Sequence, residues 1–210
     1  MHLLPVLLAA SLALAAADDP AAEARAAYRR GADLYRAGRY REAIAAFEEA
    51  DRLKPSPALQ FNVGQAWEKL GDPAAALAAF ARYLRLDPAA PNREAVEKTV
   101  RTLETRLAAT GRQMLHVTVD ASGATVSVDG AAPTPAPLDA AFAPGPHALR
   151  AQAPGRKDAE RQVVLPADRS RAVEFLLEPA PAPSLAAVPP SPPLEATRPE
   201  DAPRPAERKS

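Results

Sequence analysis

The chain has 210 residues, with 26 basic and 26 acidic side chains and no cysteine. Balanced charge excludes a basic surface built for a polyanion, so no nucleic-acid partner is expected. The missing thiols exclude disulfides, cysteine nucleophiles, cysteine zinc sites and a lipid-anchored cysteine, and with aromatics at only 5% the one or two small cores must be built from small aliphatic side chains.

Residues 1–17 read as a secretory signal peptide. Leu3 to Leu14 is almost unbroken apolar sequence, followed by Ala15-Ala16-Ala17 and then Asp18-Asp19, a small-residue cleavage pattern. The run is well short of the ~20 residues that cross a bilayer as a helix, so cleavage after Ala17 with no retained membrane anchor is expected. The segment before the run holds His2 but no Lys or Arg, which a start site further upstream would explain.

Residues 18–110 read as a helical repeat domain. Gly31 aligns with Gly64, Gly38 with Gly71, Ala43 with Ala76, Phe47 with Phe80 and Pro55 with Pro88, always at an offset of 33, as in 64 − 31. One offset shared by glycines, prolines and aromatics marks stacked supersecondary units. Gly31 and Gly64 fall inside helical patterns, where glycine costs about 1 kcal/mol against alanine, so close helix–helix approach is the better reason for them. Gly38 and Gly71 are expected to end the first helix of each pair in a left-handed cap, with Asp72-Pro73 opening the next helix. Apolar residues at spacings of three and four, Tyr40, Ala43, Ile44, Phe47 and Ala50 and then Ala76, Leu77, Phe80, Tyr83 and Leu84, give each second helix one buried stripe.

Residues 24 to 88 thus resemble the tetratricopeptide repeat, a helix-turn-helix of about 34 residues. Ala27 and Gln60 replace its usual tryptophan, Arg30 replaces the leucine before Gly31, and Pro73 stands where Tyr40 does. A further helix from about Asn92 to Ala109, with Val96, Val100, Leu103 and Leu107 in a stripe and Glu94–Lys98 and Glu97–Arg101 at i,i+4, reads as a cap. Two repeats plus a cap are few for a continuous core, so docking on a neighbouring domain or partner is expected.

From Met114 the period drops to 2: Leu115, Val117 and Val119 alternate with polar residues, as do Ala124, Val126 and Val128. Turn signals at Ser122-Gly123, Asp129-Gly130, Pro144-Gly145, Pro154-Gly155 and Pro166-Ala167-Asp168 separate further strands near His147 to Ala153, Arg161 to Leu165 and Ala172 to Leu177. A small all-β sandwich or open barrel over residues 111–178 is expected. Gly123-Ala124, Val126, Val128-Asp129-Gly130, Pro137-Leu138, Pro144-Gly145, His147 and Gly155 resemble the PEGA domain, common in exported bacterial proteins; Ala121-Ser122 replace the Pro-Glu of its naming motif. Residues 179–210 hold ten of the 24 prolines and few apolar side chains, the composition of a disordered spacer with polyproline II character.

The fold class expected is therefore multi-domain: an all-α repeat, a small all-β sandwich and a disordered tail. The search for chemistry returns no catalytic residue, metal site or cofactor. His116 and His147 lie on expected strands without a Ser-Gly elbow or a carboxylate at ligand spacing, and Gly155-Arg156-Lys157 lacks the remainder of a phosphate-binding loop. A pocket bringing either histidine against a carboxylate would reopen a hydrolase reading. The tetratricopeptide resemblance implies a concave groove on the first helices that receives extended peptides, here placing Arg25, Tyr28, Tyr35, Arg36, Phe61, Asn62, Gln65, Glu68 and Lys69 outward. Aromatic, amide and cation together suit a peptide backbone with an acidic or carboxylate end. The expected function is an exported, non-catalytic protein-interaction scaffold of the bacterial cell envelope, periplasmic or at the cell surface. The alternative is a wall-associated protein whose β-domain contacts polysaccharide or surface-layer polymer, although Phe142 and Phe175 are that domain's only aromatics.

Overall fold

The computed structural model describes residues 19–180, so the expected signal segment 1–17 and positions 181–210 of the expected tail lie outside the described residues. Five helices come first: α1 (Pro20–Arg36), α2 (Tyr40–Leu53), α3 (Pro57–Leu70), α4 (Pro73–Leu86) and α5 (Arg93–Ala108). Asp19 and Asp72 each precede a proline at the first helical position and accept a backbone N–H, from Ala21 at 2.9 Å and from Ala75 at 3.0 Å. The first helix of each pair ends in the same Schellman bonds: Gly38 N–H to Tyr35 O and Arg39 N–H to Leu34 O, then Gly71 N–H to Glu68 O and Asp72 N–H to Trp67 O. Gly38 and Gly71 carry φ of 74° and 78°, values a Cβ would strain.

The internal repeat holds at the level of atoms. A Cβ on Gly31 would stand 2.7 Å from the Phe47 ring, and a Cβ on Gly64 would stand 2.7 Å from the Phe80 ring. Ala43 and Ala76 are both fully buried on the partner helices. Each hairpin therefore closes because glycine and alanine let the second helix lay an aromatic ring directly on the backbone of the first. Consecutive hairpins are joined by Asp51, buried at the end of α2, whose carboxylate accepts from Ser56 N–H at 3.1 Å, the Gln60 amide at 2.7 Å and Arg82 at 3.3 Å. One acid thus anchors the start of α3 and reaches α4, as a buried carboxylate must find several donors. In α5 the stripe Val96, Leu103 and Leu107 is buried as expected, while Glu97 bonds back to Arg93 at 2.8 Å rather than forward to Arg101.

Seven strands follow: β1 (Gln113–Val119), β2 (Thr125–Val128), β3 (Thr134–Pro135), β4 (Leu138–Phe142), β5 (Gly145–Gln152), β6 (Ala159–Leu165) and β7 (Arg171–Phe175). They form a three-stranded sheet in the order β4-β1-β7 and a four-stranded sheet in the order β3-β2-β5-β6. β1 runs antiparallel to β4 and parallel to β7; the four-stranded sheet is antiparallel throughout. The alternating residues Leu115, Val117, Val126, Val128, Leu149, Val163, Leu165, Val173 and Phe175 meet between the sheets as one core. β3 and β4 are additions to the strands legible in the sequence. Leu-Asp-Ala-Ala-Phe has no apolar alternation, because one face of β4 meets the sandwich and the other meets α4.

The two parts share a core. Ala76, Leu77, Phe80 and Tyr83 of α4 and Val96, Leu103 and Leu107 of α5 pack in the same cluster as Met114 of β1 and Ala141 of β4. Met114 is fully buried although strand alternation puts it on the face opposite Leu115, since the helices cover that face. Arg112 donates to Ala141 O and Ser170 donates to Glu104 across the same junction. No helix among the described residues is long and apolar enough to cross a membrane.

Candidate functional site

α1 and α3, the first helices of the two hairpins, lie side by side, and between them a depression of about 160 Å³ is lined by Tyr28, Ala32, Tyr35, Arg36, Phe47, Asn62 and Gln65. Five of the nine expected groove residues, Tyr28, Tyr35, Arg36, Asn62 and Gln65, are thus brought together. The repeat offset relates two aromatic pairs, of which only the first lines the depression: Tyr28 packs on Phe47 and Phe61 packs on Phe80, with ring centroids 6.0 Å apart in both cases. The equivalents diverge in exposure. Tyr28 is 45% exposed, whereas Phe61 is half-buried because Tyr83 closes over it at 5.4 Å. Phe61 therefore belongs to the second core, and Arg25, Glu68 and Lys69 do not line the depression. Arg25 instead pairs with Asp19 at 3.4 Å. Arg36 pairs with Asp33 at 2.5 Å but keeps 75% of its side chain exposed, so this cation remains accessible at the rim. Ala32 and Phe47 were not among the expected residues; the offset of one turn from Tyr28 would have placed Ala32 there.

Both histidines meet carboxylates, the condition that would reopen a hydrolase reading. His116 Nδ1 lies 2.7 Å from Asp139 Oδ1, and Arg85 of α4 grips the same carboxylate with Nη1–Oδ1 at 3.0 Å and Nη2–Oδ2 at 2.5 Å. Burial pushes the Asp139 carboxyl up, but hydrogen bonds from His116 and Arg85 outweigh it and hold the group below the usual carboxylate range. The Arg85 fork compensates the charge that a catalytic carboxylate would lend to an imidazolium, so the trio serves as a latch fixing β4 and β1 to α4. An open recess beside it, lined by Ala81, Arg85, His116, Thr118, Ala172, Val173 and Glu174, belongs to the same junction.

His147 is a structural residue. Its Nδ1 lies 2.6 Å from Asp129 Oδ2 and its Nε2 lies 2.8 Å from Ala143 O, so both ring nitrogens face acceptors and neither lone pair is free for proton transfer. Asp129 and Gly130, both at positive φ, make the turn after β2, and the other Asp129 oxygen accepts from Ala148 N–H at 2.8 Å. The Val-Asp-Gly and Gly-Pro-His stretches of the sequence thus meet as one staple between β2 and β5. Ala143 O and Asp129 raise the His147 pKa, and the bonds from His147 and Ala148 lower that of Asp129. A raised histidine pKa contributes stability that is complete below the unfolded value of about 6.5 and is lost as pH rises through the folded value. The thermal midpoint is accordingly expected to fall from pH 6 toward pH 8.5, and His147→Gln to flatten that slope; parallel slopes for the two proteins would remove His147 as its source. Asp129 adds the opposite limb, its contribution disappearing as pH falls below the ordinary carboxylate range.

Among the described residues no group of three His, Asp or Glu side chains is placed to hold a metal ion. A family model described as tetratricopeptide repeat matches residues 28–91, and one described as PEGA domain matches residues 112–181. No curated protein matches the chain.

Proposed function

Because the chain joins a tetratricopeptide repeat to a PEGA domain, we propose that it is an exported, non-catalytic scaffold of the bacterial cell envelope that holds a protein partner through the α1–α3 groove. Tetratricopeptide repeats point to a protein partner, and PEGA domains occur in exported proteins. In this reading residues 1–17 direct export and are removed, 18–110 bind the partner, 111–178 brace the array, and 179–210 act as a spacer. The observation that carries the proposal is the depression between α1 and α3, where the half-exposed Tyr28 ring, the Asn62 and Gln65 amides and the Arg36 cation converge. A ring offers area at low entropic cost, amides match a peptide backbone, and a guanidinium matches a carboxylate.

The test is a peptide array with free-acid and amidated C-termini, probed with the chain from residue 18 onward. Free-acid or acidic peptides are expected to bind, and Tyr28→Ala with Asn62→Ala to weaken them at least about tenfold, the effect of losing roughly 1.4 kcal/mol. Tyr28 and Asn62 are not fully buried, so the melting curve should barely change. Undiminished binding by that double variant would move the partner site off the groove. A second reading, contact of the β-domain with a hydroxyl-rich envelope polymer, draws on a recess of about 490 Å³ on the outer face of the four-stranded sheet, whose lining includes Ser127, Arg150, Gln152, Glu160 and Gln162. That recess has no aromatic side chain on which a sugar could stack, which ranks it second.

A further inference from the structure

Shifting the first hairpin by 33 positions matches Tyr28, Ala32, Tyr35 and Tyr40 with Phe61, Gln65, Glu68 and Pro73. The backbone repeats, but these four side chains do not, and in the first hairpin they build something that the second lacks. Tyr28, Ala32 and Tyr35 follow one another at i, i+4 and i+7 along α1 and so share one helix face, with an aromatic ring on either side of a methyl group. Each ring is backed by an aromatic of α2: Tyr28 by Phe47 at 6.0 Å, and Tyr35 by Tyr40 at 5.3 Å, edge to face at 68°. Phe47 is 2% exposed and lies against the α1 backbone at Gly31, so it cannot withdraw.

The two rings are therefore held in place before anything binds, and the depression of about 160 Å³ opens between them over Ala32. That volume is close to the ~150 Å³ that encloses one benzene molecule in a protein interior, room for a single side chain. Its lining has two characters. Tyr28, Ala32, Tyr35 and Phe47 contribute rings and a methyl group, while Asn62 and Gln65 contribute amides from the α3 side. The second hairpin has no such slot, because the longer Gln65 stands where Ala32 does and the carboxylate of Glu68 stands where the Tyr35 ring does.

We propose that this slot is the anchor pocket of the α1–α3 groove: it takes one apolar side chain of leucine, methionine or phenylalanine size from an extended peptide, and Ala32 sets that size. The proposal rests on the groove reading above and adds which side chain the partner must present. An apolar side chain in the slot is covered by both tyrosine rings, while the Asn62 and Gln65 amides pair with the peptide groups that flank it. Alanine at the anchor would leave most of the volume empty, and a carboxylate there would lose hydration against two rings. Arg36, exposed at the rim, reads charge outside the slot, so the apolar and the acidic requirements fall on different residues of the partner.

The experiment takes the acidic and free-acid peptides that the chain from residue 18 onward binds on the array and replaces their positions one at a time by alanine. Affinities are then measured for the wild-type chain, Ala32→Leu and Tyr28→Ala/Asn62→Ala. Each bound peptide is expected to contain one Leu, Met or Phe whose replacement weakens binding about tenfold or more, as loss of methylenes from an apolar pocket does. In Ala32→Leu, which fills the slot from within, the same replacement is expected to make almost no difference. Should the leucine variant not fold, Ala32→Gln is read by the same criterion, since the second hairpin already carries glutamine at this position. Binding that responds to Tyr28→Ala/Asn62→Ala but has no apolar anchor would overturn the pocket and leave the groove standing, as would an anchor whose effect is unchanged in Ala32→Leu. Binding indifferent to the double variant, or no binding at all, would overturn the groove and the pocket together.

Discussion

Gly64→Val is expected to destabilise the folded chain by about 3 kcal/mol, the upper end for overpacking a closed core, and to lower the melting midpoint by roughly 10 °C. Substituting a mid-helix glycine would by propensity alone help the helix, so loss of stability isolates the packing contribution. The added Cβ would sit 2.7 Å from a Phe80 ring that is itself 2% exposed and cannot swing into solvent. Phe80 lies in the cluster with Leu77, Leu103 and Met114, so the displacement spreads through the shared core. Two companion measurements make the argument specific. Gly31→Val should behave alike, because its Cβ would meet Phe47 at the same 2.7 Å. Phe80→Leu combined with Gly64→Ala should cost less than the sum of the two single changes, since each relieves the crowding the other meets. A Gly64→Val protein melting close to wild type would show that the hairpins do not depend on that contact.

Met114→Ala is expected to cost about 3 kcal/mol, within the range for a large buried aliphatic side chain, and to split a single melting transition into two. Met114 is 0% exposed and is the β1 side chain embedded among Phe80, Leu103 and Leu107. Two hairpins and a capping helix bury little core of their own, and the sandwich supplies part of the wall that a further repeat would otherwise provide. Truncating Met114 leaves a cavity at that wall, while the interior of the sandwich, built on Leu115 and Val117, is untouched. Helical and β signals in circular dichroism should then separate, the helical one melting first. A variant that still melts as one unit would mean that the Arg85–Asp139–His116 latch couples the parts without help from the methionine.

The histidines show how far side-chain chemistry was readable. No local spacing links Asp129 to His147 or Asp139 to His116, because each pair is joined through strand pairing rather than through neighbouring positions. Asp139 also sat in a segment with no strand pattern, and its bond to Arg85 spans 54 positions. The depression between α1 and α3 was partly readable: Tyr28, Tyr35, Arg36, Asn62 and Gln65 line it, whereas Phe61 was not separable from its repeat equivalent Tyr28. Position within the repeat assigns the two aromatics the same direction; only Tyr83, present in the second hairpin where the first has Ala50, closes over Phe61.

Local patterns carried the elements and their order. Glycine at positive φ, proline at helix starts, one offset of 33 and a change of period from 3.6 to 2 are consequences of backbone sterics and of which face must be dry, so they are written residue by residue along the chain. The burial of Met114, the existence of β4 and the Arg85–Asp139 latch depended on how two finished parts face each other. Contacts between distant segments leave no periodic trace in either partner, because each residue there answers to a neighbour that only the folded chain supplies.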